Sequence, residues 1–160
     1  MPSRIKRVAI YDMDGTIVCS MHRYRTIKDD KGVTRIDLPY WRENEYRAYN
    51  DSLLPLAEQY KNDLADPACY VIIATARVLS DPDDCFIRDK LGPPDHIISR
   101  PAGDTTSGAL LKIRGLYRFF NLPAFKEAHF TFYEDNLEYL RAVCQRFKIR
   151  GVYVPSLQGH

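Results

Sequence analysis

Apolar residues in this chain fall in short unbroken runs rather than in strict alternation. Residues 8–11 (Val-Ala-Ile-Tyr), 70–74 (Tyr-Val-Ile-Ile-Ala), 96–99 (His-Ile-Ile-Ser), 129–133 and 151–154 are rich in β-branched or aromatic side chains. Runs of that kind predict strands buried on both faces, as in a parallel sheet. Between them, residues 40–64, 82–91, 107–120 and 137–147 read as helices, and Ser80-Asp81-Pro82 offers the second of these a cap and a first-turn proline. Strands alternating with helices imply an α/β fold with right-handed crossovers. One stretch breaks the alternation. Residues 23–27 and 33–38 are strand-like around a turn-forming Lys28-Asp29-Asp30-Lys31-Gly32, which predicts a β-hairpin flap. Because it follows the first strand closely, it should project from the carboxyl edge of the sheet, where open α/β sheets bind ligands. The expected organisation is a single domain over residues 1–160 with a small insert over about 20–64.

Composition narrows the class. With 160 residues, 45% of them hydrophobic and 28% charged, the chain can bury one sizeable core without disulfide or metal staples. Cys19, Cys69, Cys85 and Cys144 are far apart, which argues against a zinc ribbon and fits reduced thiols in a cytoplasmic setting. The basic start is followed by an apolar run that stops at Asp12, so no signal-peptide core is expected. No apolar run approaches the ~20 residues of a membrane span. The net charge of +2 names no partner, and the basic groups Arg4, Lys6, Arg7 and Arg141, Arg146, Lys148, Arg150 read as solvated surface.

The strongest chemical signal is Tyr11-Asp12-Met13-Asp14-Gly15-Thr16. A buried strand delivers two carboxylates into the loop at its carboxyl end. Residues i and i+2 of extended chain point the same way, so both are expected to face one ligand. Their mutual repulsion would be relieved by a hard, oxygen-ligated cation, and Gly15 permits a tight turn against a substrate.

Asp12-Met13-Asp14-Gly15-Thr16-Ile17 resembles the first motif of the haloacid dehalogenase superfamily of phosphohydrolases. The resemblance implies a Rossmann-like sheet and a Mg²⁺-dependent phosphomonoesterase that works through an aspartyl-phosphate. On that reading Asp12 is the nucleophile and Asp14 the general acid/base. Thr75, ending the run Val71-Ile72-Ile73-Ala74, matches the second motif and would hydrogen-bond a phosphoryl oxygen, with Arg77 as a phosphate clamp. Lys112, on the flank of the apolar stripe Ala109, Ile113, Leu116 and Phe120, matches the third, with Arg114 and Lys126 as rivals. Phe132-Tyr133-Glu134-Asp135-Asn136 matches the fourth: Asp135 would complete the metal shell of Asp12 and Asp14, and Glu134 would support it.

Within the superfamily the chain is most similar to the 3′-phosphatase domain of phage polynucleotide kinase–phosphatases and their stand-alone relatives. His22-Arg23, Trp41 with Glu43-Asn44-Glu45, Asp51-Ser52-Leu53-Leu54-Pro55, and Ser99-Arg100-Pro101-Ala102-Gly103-Asp104-Thr105 carry that likeness. Arg100 and Lys112 would then both contact phosphate. The chain departs from the pattern at Gly108, where relatives usually carry an acid, and at Asn136, where many carry arginine. The implied substrate is a 3′-phosphate on a polynucleotide end or nucleotide. Arg23, Arg25, Lys28, Lys31 and Arg35 would meet the backbone, and Tyr24, Tyr40 or Trp41 would stack a base; plain hairpin and core packing is the alternative for these residues. Two other functions stay open: a small 5′(3′)-nucleotidase or general phosphatase, and a catalytically idle nucleic-acid-binding module. No Gly-x-x-x-x-Gly-Lys-Ser/Thr motif occurs, so no kinase half is expected in these residues.

Overall fold

In the computed structural model, which describes residues 5–23 and 25–156, the five apolar runs form one parallel sheet. The chain begins with β1 (Arg7–Tyr11) and an insert made of β2 (Val18–Cys19), β3 (Thr26–Lys28), β4 (Thr34–Ile36), α1 (Leu38–Glu43) and β5 (Ser52–Leu53). It then alternates through α2 (Ala57–Ala65), β6 (Cys69–Ala74), α3 (Asp81–Phe86), β7 (His96–Ile98) and α4 (Gly108–Leu116), and ends with β8 (His129–Glu134), α5 (Leu137–Phe147) and β9 (Arg150–Tyr153). Arg4 and Tyr24 lie outside the described residues.

The strand order β7-β6-β1-β8-β9 puts β1 at the centre. Its side chains divide between two cores, as the two-residue period of a strand requires. Ala9 and Tyr11, with Val71 and Ile73, pack under Tyr60 of α2 and Phe86 of α3. Val8 and Ile10, with Ile72 and Phe132, pack under Leu116 of α4 and Leu140 and Val143 of α5. Each valine, leucine, isoleucine or phenylalanine among them contributes about 1.5–3 kcal/mol on burial, which is why the strands read as solid apolar runs. The chain has the α/β Rossmann-like fold. Among the described residues, no helix is long and apolar enough to cross a membrane.

The insert differs from its sequence expectation. The hairpin forms as β3 and β4, pairing Thr26 with Ile36 and Lys28 with Thr34, and both strands are largely exposed. The helix expected over 40–64 is instead broken into α1, a 3₁₀ turn at Glu45–Asn50, β5 and α2. The breaks have local causes. Asp37 caps α1 through the N–H of Tyr40, and Asn44 closes it by donating from Nδ2 to the Tyr40 carbonyl. Asp51 is extended (φ −58°, ψ 152°), and Pro55 cannot continue a helix from before it. The helix expected over 82–91 ends in a π-helical turn, Ile87–Leu91.

Register brings the chemistry to one edge. Tyr11 is level with Ile73 on one side and Tyr133 on the other, so Asp12, Ala74 and Glu134 follow together at the carboxyl end. The Asp12 N–H continues the ladder to the Tyr133 carbonyl at 3.0 Å. The chain leaves β1 toward β6 and β7 on one side and then crosses back to β8 and β9 on the other, so the strand order reverses beside β1, the usual position of a ligand crevice.

Candidate active site

Asp12 is buried at the end of β1 and both carboxylate oxygens are held. Lys112 Nζ donates to Oδ1 at 2.8 Å, and Thr16 Oγ1 donates to Oδ2 at 3.0 Å. Lys112 comes from α4, whose start is capped by the Ser107 hydroxyl accepting from the Leu110 N–H. Its ammonium is fully buried and also reaches Glu134 Oε2 at 3.1 Å and Oε1 at 3.3 Å. Burial opposes the Lys112 charge, but Asp12 and Glu134 outweigh it and hold the ammonium above its ordinary range. Of the three cations considered for this role, Arg114 is exposed on α4 and Lys126 lines a groove beyond the opposite, amino-terminal edge of the sheet.

Asp135 follows Glu134 into the same space. Carboxylate oxygens of Asp12, Glu134 and Asp135 lie within 4.8 Å of one another. Neither Asp135 oxygen receives a well-aligned hydrogen bond, although the Ser156 hydroxyl gives it partial relief. Burial, and then the charge of Asp12, push Asp135 up to about 8. Glu134 is raised by the same two causes, only partly offset by Lys112. Three carboxylates face one ammonium, an excess of two negative charges when all are ionised. Gly15 (φ +80°) closes over this cradle, and a Cβ there would sit 2.0 Å from Asp135 Oδ2. Buried, under-satisfied oxygens with that charge fit a divalent hard cation such as Mg²⁺.

Asp14 goes elsewhere. The N–H groups of Thr16, Ile17 and Val18 all donate to the Met13 carbonyl, and this tight turn separates Asp14 from Asp12. The Asp14 carboxylate is gripped by Arg77, with Nε donating to Oδ2 at 2.8 Å and Nη2 to Oδ1 at 2.6 Å. Ser20 Oγ donates to Oδ1 at 2.9 Å. The remaining Arg77 donors go to Asp51 (Nη2 to Oδ2, 3.0 Å) and to Asp83 (Nη1). Burial opposes the Arg77 charge, and Asp14, Asp83 and Asp51 together overcome it. So the structure gathers Asp12, Glu134, Asp135 and Lys112 into one cluster, and joins Asp14 and Arg77 in a second beside it.

Thr75 is buried just past β6, its N–H on the Ile98 carbonyl and its Oγ1 accepting from the Arg77 N–H at 3.1 Å. Arg100 is tied to backbone carbonyls: Ala76 at 2.9 Å, Asp104 at 3.0 Å and Thr106 at 2.5 Å. It shapes the loop before α4 and is not joined to either carboxylate cluster. On the flap, Arg25 pairs with Asp37 and Arg35 with Asp29, and Tyr40 carries the Arg25 guanidinium at 4.3 Å. Trp41 carries Arg23 at 4.2 Å. At the two departures, Asn136 caps α5 by accepting from the Tyr139 N–H, and Tyr139 fills the space a side chain at Gly108 would need, 2.6 Å from its Cβ position. The Tyr139 ring lies 5.3 Å from Lys112 Nζ. Sequence reasoning assigned no role to Asp51, Asp83, Ser20 or Tyr139. Asp51 stood in a motif-like segment, but nothing near it in sequence pointed to its partners.

Residues 1–101 match the profile of a family described as "Bacteriophage T5 5′-deoxynucleotidase". A curated relative, the 5′-deoxynucleotidase of Escherichia phage T5, is 34% identical over 87 residues, covering 52% of this chain and 35% of that protein. The chain thus spans about a third of that relative's length. Among solved structures, a chain of the Pnkp1/Rnl/Hen1 RNA repair complex superposes with a TM-score of 0.68 at 18% identity, over 95% of this chain and 43% of that one. The HAD domain of the effector Lem4 from Legionella pneumophila gives 0.63 at 15% identity, over 97% of this chain and 89% of that domain. At these identities the structural likeness shows the fold.

Proposed function

The chain belongs to the bacteriophage T5 5′-deoxynucleotidase family, and from that premise we propose that residues 1–160 form one phosphatase domain acting on deoxynucleoside 5′-monophosphates. The observation that carries the reading is the buried cluster of Asp12, Glu134 and Asp135 around Lys112 at the carboxyl edge of the sheet. Asp12 attacks phosphorus through a carboxylate oxygen already oriented by Lys112 and Thr16. The P–O ester bond breaks as the Asp12–phosphorus bond forms, and Asp14 gives its proton to the departing sugar oxygen. Asp14 then takes a proton from water, which displaces Asp12 and releases phosphate. Asp12, Glu134 and Asp135 would hold Mg²⁺, which supplies neutralisation of charge on the phosphoryl oxygens. Lys112 orients the nucleophile by its bond to Oδ1 and Glu134 keeps Lys112 in place; Thr75 is in reach of the same edge to donate to phosphate.

The pairing of Arg25 and Arg35 with Asp37 and Asp29 supports a mononucleotide over a polynucleotide, because those guanidinium groups are already neutralised. A 3′-phosphorylated end, with Lys28 and Lys31 on its backbone, is the second arm of the test. The free cysteines support a cytoplasmic setting.

The experiment compares phosphate release from deoxynucleoside 5′-monophosphates, 3′-monophosphates and a 3′-phosphorylated oligonucleotide, with Mg²⁺ and with EDTA. Release confined to 5′-monophosphates, silenced by EDTA and by Asp12→Asn, is expected. Preferred release from the oligonucleotide would overturn the mononucleotide reading, and turnover by Asp12→Asn near the unmodified rate would remove Asp12 as nucleophile.

A further inference from the structure

We infer that Asp51 is a positioning residue for proton transfer by Asp14, acting through Arg77; this rests on the role proposed above for Asp14. The Asp51 side chain has no exposed surface. It comes from the far end of the insert, immediately before β5, and grips the start of the insert from inside. Arg23 donates to it through Nε at 2.8 Å and Nη2 at 3.0 Å, and His22 Nε2 lies 2.8 Å from Oδ1. Arg23, itself 1% exposed, lies against the Trp41 ring. The Arg23–Asp51 pair is therefore a fixed strut within the insert. Arg77 Nη2 is shared between that strut and Asp14, at 3.0 Å and 2.6 Å.

The geometry decides what Arg77 does. Its side chain is 3% exposed, and its Nε, Nη1 and Nη2 are all donated to carboxylates. Nε and Nη2 form a fork on Asp14, and the bonds to Asp51 and Asp83 fix the plane in which that fork lies. Asp83 is anchored in turn by the Ser80 N–H and hydroxyl, both at 2.9 Å. Arg77 is thus a holder of Asp14 rather than a free phosphate clamp, and two buried acids from separate parts of the chain set its orientation. Two arginines and three aspartates leave this cluster one negative charge in excess. Replacing Asp51 by asparagine keeps its shape, brings that sum to zero and weakens the bond that fixes the Arg77 plane. The direction in which Asp14 offers its proton is what then degrades, while the Asp12 cluster is untouched.

Leaving groups distinguish this from a general structural role. A deoxynucleoside 5′-monophosphate expels an alkoxide that needs a proton, whereas p-nitrophenyl phosphate expels a phenolate that needs little help. On each substrate kcat/KM reports only the steps through phosphoryl transfer to Asp12, so later attack by water does not enter. Asp51→Asn should lower kcat/KM for the nucleotide by about 10²-fold, the lower range of general acid effects, and for p-nitrophenyl phosphate by less than ~10-fold. Arg23→Lys, which keeps the charge but loses the two-bond grip, should show the same selectivity at smaller amplitude and decides the matter if Asp51→Asn does not fold. Equal losses on both substrates in a variant that melts like the unmodified protein would overturn the inference and leave the phosphatase reading standing. No hydrolysis of either substrate by the unmodified protein would bring down both.

Discussion

Gly15→Ala puts the proposed metal cradle under direct strain. Gly15 has φ +80°, and the new methyl group would lie 2.0 Å from Asp135 Oδ2, 2.6 Å from Ser156 Oγ and 2.8 Å from Asp135 Cγ. The left-handed backbone alone costs an alanine roughly 1–2 kcal/mol. In a domain of this size that lowers the melting temperature by about 2–8 °C. The contact with Oδ2 cannot be met by a small adjustment, because Asp135 is a short side chain buried against Asp12 and Glu134. Its carboxylate must rotate away, which also relieves repulsion from Asp12, so the loss in metal-free protein should fall at the low end of that range. Metal affinity should fall much further. Losing even an outer partner of a metal ligand typically costs 10–100-fold in affinity, so displacing Asp135 should raise the Mg²⁺ dissociation constant by at least about that factor. Calorimetric titration with Mg²⁺ and paired melting curves in Mg²⁺ and EDTA read the two effects separately. A variant that loses stability yet binds Mg²⁺ as tightly as the unmodified protein would refute the cradle and leave Gly15 as a turn residue only.

Two further outcomes follow from the same carboxylates. Asp135 is pushed up to about 8 by burial and by Asp12, so the folded protein holds this proton more tightly than the unfolded chain does, and without metal its contribution to stability declines as pH rises from about 4 to 8. Mg²⁺ must displace that proton, so the rise in melting temperature on adding Mg²⁺ should grow between pH 6 and pH 9; a rise constant across that range would count against Asp135 as a ligand. Lys112→Met leaves three buried carboxylates without their ammonium, and breaking a buried pair this way costs about 3–5 kcal/mol. Urea unfolding in EDTA should show that loss and in Mg²⁺ a partial recovery, while a loss below about 1 kcal/mol would mean that Lys112 is not the counter-charge.

The parts of this architecture legible in sequence are those whose causes are local or periodic. Residues 8–11 and 70–74 announce buried strands because both faces of the sheet are covered, and Asp12 ends the first run because a carboxylate cannot continue it into the core. Lys112 was legible from the apolar stripe of its helix, which leaves one flank aimed at the sheet edge. The insert was not legible in the same way. Its apolar residues between 40 and 64 satisfy a helical period, but Asp37, Asn44 and Pro55 cut that period into pieces through single hydrogen bonds and one missing N–H. The partners of Arg77 were not legible for a different reason. An arginine two residues after a threonine that ends a strand resembles a phosphate clamp, and beyond Asp83 its carboxylate partners stand 26 and 63 residues away at Asp51 and Asp14. No window of sequence contains that network.

The alternation rule fails at Asp12-Met13-Asp14, and its failure is informative. In extended chain the two carboxylates would face the same way, but Met13 is fully buried and its carbonyl collects three N–H groups, so the strand ends at once and the second carboxylate swings out of line. Two neighbouring anions therefore acquire separate electrostatic surroundings. Asp12 sits among Glu134, Asp135 and Lys112, where two charges remain in excess and a divalent cation is the natural complement. Asp14 sits among Arg77, Asp51, Arg23 and Asp83, where arginines already balance all but one charge and no further cation is called for. On the mechanism proposed above, the carboxylate that bonds to phosphorus and the one that passes protons need opposite conditions: the first a strong positive field, the second fixed direction with little net field. One buried methionine and the tight turn after it supply that separation, and the insert reaches the second carboxylate directly through Ser20 and, by way of Arg77, through Asp51.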